Sequence, residues 1–229
     1  MKKYLLILLI LCLLLSEIII NVSPVPGFFL YILLITGCLI VLSKEGTLND
    51  YGKLIILFMI LPIIRVIELF VNFDYPIKAI VVYLILFFLV LIYSIKFRIS
   101  LGNMKRGLSF LPLTILLGGA LGIAGSWLFG LKGYSELFFI LPIIAFSEEL
   151  LFRGGIQSLI KKNYGIFSSI IFPALLYGIF SLGFGYKIAI FMFLANLLMC
   201  FMYNKTENIW VTIPINFFLN LFLFTITIF

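Results

Sequence analysis

The chain has 229 residues, of which 64% are hydrophobic and 11% charged, with a net charge of +7 and a mean hydropathy of +1.30. Soluble domains are roughly 45–50% apolar and about 25% charged, so a soluble enzyme, a disordered tail and a nucleic-acid-binding domain are excluded as readings of the whole chain. A spanning helix takes about 20 apolar residues, and the fold class that follows is all-α: a polytopic transmembrane helix bundle of about eight to nine spans.

In chain order the apolar runs predict spans at 4–22, 24–42, 54–71, 79–95, 109–129, 137–160, 166–183, 187–203 and 210–229. The runs are long, continuous and leucine-rich, and lipid accepts only helices or closed barrels, so strands are excluded. Met1-Lys2-Lys3 and the run after it resemble a signal peptide, but no small-x-small cleavage site follows, which favours a retained first span. Cys12, Cys38 and Cys200 all lie in apolar runs without metal-ligand spacing. Histidine is absent.

Orientation follows from the loop charges. Nine spans with a cytoplasmic N-terminus place Lys2, Lys3, Lys44, Lys53, Lys96, Arg98, Lys105, Arg106, Lys161, Lys162 and Lys205 inside, against Lys78, Lys132 and Lys187 outside. Such a bias points to an integral protein of the cell membrane with its N-terminus in the cytoplasm. The basic segment Lys96 to Arg106 divides a variable amino-terminal bundle, residues 1–106, from a carboxy-terminal unit, residues 107–229.

Ionisable residues within spans mark functional candidates, because each is expensive in hydrocarbon unless paired or wet. Arg65 and Glu68, three apart, can pair on one helix. Glu17 stands alone near the outer end of span one, where it is expected to snorkel to the interface. The densest stretch is Ser147-Glu148-Glu149-Leu150-Leu151-Phe152-Arg153-Gly154-Gly155. If its helix runs on to Ile160, Glu148 lies roughly 18 Å from the cytoplasmic end, at mid-membrane. Glu149 and Arg153, four apart, can face one another, while Glu148 points about 100° away. Two readings stay open on spacing alone: a structural Arg–Glu network, or a carboxylate left facing a cavity for general acid/base work. Asn216 and Asn220, one turn apart, either bond a neighbouring helix or line a polar cavity with Glu148 and Ser181.

These residues resemble the CPBP family, the CAAX prenyl protease type II and bacteriocin-processing (Abi) membrane proteins. Glu148-Glu149-x-x-x-Arg153 with Gly154 and Gln157 is similar to its first motif. Asn204 to Trp210, then Pro214 and Asn216-x-x-x-Asn220, is similar to its loop and last motif, so the resemblance runs over about 107–229. It implies an intramembrane endopeptidase with Glu148 as base, Asn220 as oxyanion donor, and Glu149 with Arg153 as the supporting pair. The family's second motif, an aromatic and then a histidine, reads Tyr177-Gly178-Ile179-Phe180-Ser181 here, and its third-motif histidine is Asn216. The resemblance therefore implies a protein that is weak or inactive as a protease, with an active glutamate-dependent endopeptidase as the alternative. A transporter or channel is the third reading. No cofactor and no metal is expected, since carboxylates and amides without histidine or a cysteine cluster do not retain Zn²⁺. The expected partners are membrane lipid and a membrane-associated peptide or protein, with no nucleic acid.

Overall fold

A computed structural model of the chain describes residues 2–46, 49–74, 77–129 and 135–225. Lys132, counted above among the outer charges, lies outside the described residues. Among the described residues there is no strand. The runs become α1 (Lys2–Val22), α2 (Pro24–Glu45), α3 (Asp50–Phe70), α4 (Ile77–Phe97), a short α5 (Met104–Ser109), α6 (Leu111–Phe129), α7 (Leu141–Glu149), α8 (Ser158–Phe180), α9 (Tyr186–Thr206) and α10 (Ile209–Asn220). From α7 the chain continues without a break into a π-helical stretch, Leu150–Gln157, and then α8. It doubles back only at Gly165, whose φ of 85° suits a residue without a Cβ.

Six helical stretches are long and apolar enough to cross a membrane, and one of them, Leu141–Phe184, contains the turn at Gly165 and so makes two legs. The chain is an integral membrane protein with an all-α bundle. Two expected spans fall short of that measure for physical reasons. α3 carries Asp50, Lys53, Arg65 and Glu68, and the last apolar helix, Ile209–Leu223, is short.

Local sequence sets the helix starts. Asn49, Asn103 and Asn208 each cap a helix through the side-chain oxygen, accepting from Gly52, Arg106 and Trp210 backbone N–H groups at 2.6, 3.2 and 3.1 Å. Asn208 also donates to the Asn103 carbonyl at 2.7 Å, which fastens the start of α10 to the start of α5. α1 turns Leu6, Leu9, Ile10 and Leu13 inward at helical spacing, so it packs as part of the bundle.

α10 is held close to α6 by a stripe of glycines. A Cβ on Gly118 would stand 2.5 Å from the Ile215 carbonyl oxygen, and one on Gly122 2.8 Å from that of Leu219. Only hydrogen fits at these two positions, and the helices meet main chain to main chain.

The two ends of the bundle differ in charge. One end gathers Lys44, Lys53, Lys96, Arg98, Lys105, Arg106, Lys161, Lys162 and Lys205 at helix termini and loops. It is tied across elements by Lys162–Asp50 and Lys161–Glu207 pairs, each at 2.6 Å. The other end carries Lys78 and Lys187 among the described residues.

Candidate functional site

The centre is Glu148, in the last turn of α7. Its Oε1 accepts from the Tyr83 hydroxyl of α4 at 3.0 Å, and its Oε2 from the Tyr177 hydroxyl of α8 at 2.6 Å and the Asn216 amide of α10 at 3.1 Å. Three helices thus each supply one neutral donor. A carboxylate offers about four lone-pair directions, so one remains for a further donor.

Asn216 donates its second N–H to Glu149 Oε1 at 2.9 Å, and its own Oδ1 accepts from Asn220 at 2.7 Å. Glu149 Oε2 lies 3.2 Å from Arg153 Nε, with both side chains fully buried. The four-residue pairing expected from spacing is therefore present, although Arg153 lies within the π-helical stretch and its Nε is not aligned for a hydrogen bond. Arg153 Nη2 also donates to Asn196 Oδ1 in a short bond, and Asn196 is in turn held by its own donation to the Met192 carbonyl at 2.8 Å. Gln157 fastens the same stretch to α9 by donating to the Cys200 carbonyl at 2.7 Å. π-Helical insertions concentrate at functional sites, and here one carries the arginine of the pair.

Glu148, Tyr177, Ser181 and Asn220 border a cavity of about 40 Å³ whose other walls include Ala79, Leu141, Ile144 and Met192. By volume it takes roughly three waters. The expected polar cavity needs correction on two points. Its walls are mainly apolar, and Asn216 stands behind the carboxylates, outside the lining. Ser181 donates to the Tyr177 carbonyl one turn back at 2.9 Å, so its proton is tied to its own helix.

A second charged cluster lies nearer the end with few cations. Arg65 pairs with Glu17 at 2.8 Å and Glu68 at 2.6 Å, and donates a short bond to the Phe180 carbonyl. Glu17 is 1% exposed. The expectation that it snorkels alone is corrected: a guanidinium 48 residues away neutralises it. The Arg65–Glu68 pairing is as expected.

Tyr83 and Asn196 are site residues that the sequence reading did not select. Asn196 had a signal, as a lone amide within a span. Tyr83 had none, because tyrosine is unremarkable in an apolar helix.

No curated protein and no solved structure matches the chain. A family model does: residues 130–222, which contain α7 to α10 and all six predicted site positions, match the type II CAAX prenyl endopeptidase Rce1-like family. The chain is thus an integral membrane protein, and its similarity to that family covers residues 130–222.

Proposed function

We propose that this is a CAAX-endopeptidase-like membrane protein that keeps a peptide-binding cavity at Glu148 and hydrolyses peptide bonds weakly or not at all. The observation that carries this is the company of Glu148. Tyr83, Tyr177 and Asn216 surround it, and none of them shuttles protons near neutral pH. Hydrolysis requires water to add to the carbonyl carbon while its proton passes to a base and then to the leaving nitrogen as the C–N bond breaks. Glu148 would carry that proton alone. Both N–H groups of Asn216 are engaged by carboxylates, so one Asn220 N–H is the amide donor left at the cavity for an oxyanion. The positions where the family resemblance expects histidine, 181 and 216, hold a hydroxyl and an amide. Losing a group of this kind lowers rates about 10²–10⁴-fold.

An active glutamate-dependent endopeptidase is the second reading, favoured by the free lone-pair direction of Glu148 beside a cavity large enough for water. The basic end of the bundle supports a cytoplasmic N-terminus in the cell membrane. Residues 1–106 serve in this reading as a supporting bundle for the 107–229 unit. Lipid and a membrane-associated peptide are the partners.

Purified protein in detergent, offered candidate peptides, separates the two readings. The expected result is little or no cleavage, with Ser181→His and Asn216→His together raising it by about 10²–10⁴-fold and more than additively. Robust cleavage by the unaltered chain, abolished by Glu148→Ala, would establish the second reading instead.

A further inference from the structure

We infer that Glu148 is reached from the extracytoplasmic face, through a vestibule between α3, α4 and the turn at Ser181–Phe184 that receives a peptide segment, apolar along its length and anionic at the rim. The inference rests on the peptide-binding reading above.

The cavity at Glu148 has a neighbour. A chamber of about 310 Å³ is bordered by Ile64, Arg65, Glu68, Lys78 and Val82, and it shares Ala79, Tyr83, Phe180 and Phe184 with the inner one. Its volume lies at the lower end of the roughly 300–1,000 Å³ typical of ligand sites, whereas the inner 40 Å³ takes only water. A bound segment would therefore occupy the outer chamber with one carbonyl turned toward Glu148.

The elements around this chamber fix its side. Arg65 and Glu68 stand in the last turns of α3, Lys78 in the first turn of α4, and Ser181–Phe184 follows the end of α8. All belong to the end poor in cations. The opposite, basic end is fastened by the Lys162–Asp50 and Lys161–Glu207 pairs and by the Asn208–Asn103 bond. Between that end and Glu148 lie the fully buried Arg153 and Gln157. By the cation bias, the basic end is cytoplasmic and the vestibule faces outward.

The rim carries its own specificity. Arg65 is committed to Glu17, Glu68 and the Phe180 carbonyl. Among the described residues, Lys78 borders the chamber without a carboxylate partner. The walls from Ile64, Val82 and Phe184 suit aliphatic or aromatic side chains, and the ammonium suits a carboxylate on the incoming segment.

Cysteine labelling tests the proposal in cells expressing the full chain with Cys12, Cys38 and Cys200 changed to alanine. Gly183→Cys should react with a membrane-impermeant maleimide on intact cells, because a Cβ there has room beside Arg65. Lys105→Cys should react only after permeabilisation. Lys78→Cys serves as a second mouth probe if Gly183→Cys does not accumulate. Labelling of both mouth probes only after permeabilisation, or not at all, overturns the outward vestibule. An added capped Leu-Phe-Asp peptide should slow labelling at Gly183→Cys several-fold, and a Leu-Phe-Lys peptide should slow it less. Equal slowing by the two, or a difference that survives Lys78→Gln, overturns the anionic rim. None of these readings requires hydrolysis, so an inactive protein that labels as expected leaves the vestibule standing, and an active one labelled only from inside refutes it alone.

Discussion

Two clusters in this molecule contain the same charges, two glutamates and one arginine, and dispose of them differently. In the first, Arg65 lies between Glu17 and Glu68, touches both at 2.8 and 2.6 Å, and leaves Glu68 36% exposed. In the second, Arg153 pairs with Glu149 alone, and Glu148 is held by tyrosine and asparagine donors against a cavity. The charge inventory cannot distinguish them, whereas the partners do. A carboxylate supported only by neutral donors beside enclosed space keeps a lone pair that can meet a bound molecule. One shared between a guanidinium and solvent fastens helices together.

The largest expected break in this comparison comes from the arginines. Arg153→Ala strands Glu149 among fully buried neighbours, and losing one partner of such a pair costs about 3–5 kcal/mol. Arg65→Ala should cost less, because Glu68 is partly exposed and Glu17 borders a cavity of about 210 Å³. Melting temperatures in detergent give the order, and equal losses would erase the distinction between the clusters. Helix contact comes next. Gly122→Leu drives a side chain into the Leu219 carbonyl and the Phe222 side chain, and such overpacking costs about 1–3 kcal/mol. In the amino-terminal bundle Gly37 has open space around it, so Gly37→Ala should instead stabilise by about 0.5–1 kcal/mol. A third variant, Tyr83→Phe, removes one donor from Glu148 and should cost about 1 kcal/mol in the same melting assay. No cost would mean that Glu148 does not depend on its neutral neighbours.

The smallest effect is at the basic end. The Lys161 ammonium holds the Glu207 carboxyl below its ordinary range. A lowered carboxyl adds stability above its unfolded pKa and loses it as pH falls through the folded one. Glu207→Gln should therefore lower the melting temperature slightly at pH 7, by less than about 1 kcal/mol in stability, and the difference should fade on acidification. A gap that widens in acid would contradict the pairing.

Most of the fold was legible because membrane helices announce themselves by length and apolarity, and the turn at Gly165 falls in the short gap between the two expected spans on either side of it. The local pairings were legible too: Glu149 with Arg153, and Asn216 with Asn220, sit one turn apart on their own helices. What escaped was long-range. Glu17 finds Arg65 on another helix, Glu148 finds Tyr83 and Tyr177, and Arg153 finds Asn196. Periodicity carries no information about which helices adjoin. The short helix α5 escaped because six residues are too few to show a period.

The π-helical stretch makes residue count a constraint of its own. A π-turn closes on the fifth residue where an α-turn closes on the fourth, so Leu150–Gln157 carries slack that a deletion could remove. Deleting one residue there would let the backbone relax to α-form and leave the helix after it in nearly its present phase relative to α7, because the π-turn absorbs one extra residue, whereas deleting two would rotate everything after it by about 100°. With two residues lost, Gln157 would swing off the Cys200 carbonyl and Arg153 would fall out of phase with Glu149, even though every polar side chain were still present. Among homologous chains this helix should therefore tolerate exchanges of its apolar residues, or the loss of one residue, far better than larger changes in its length.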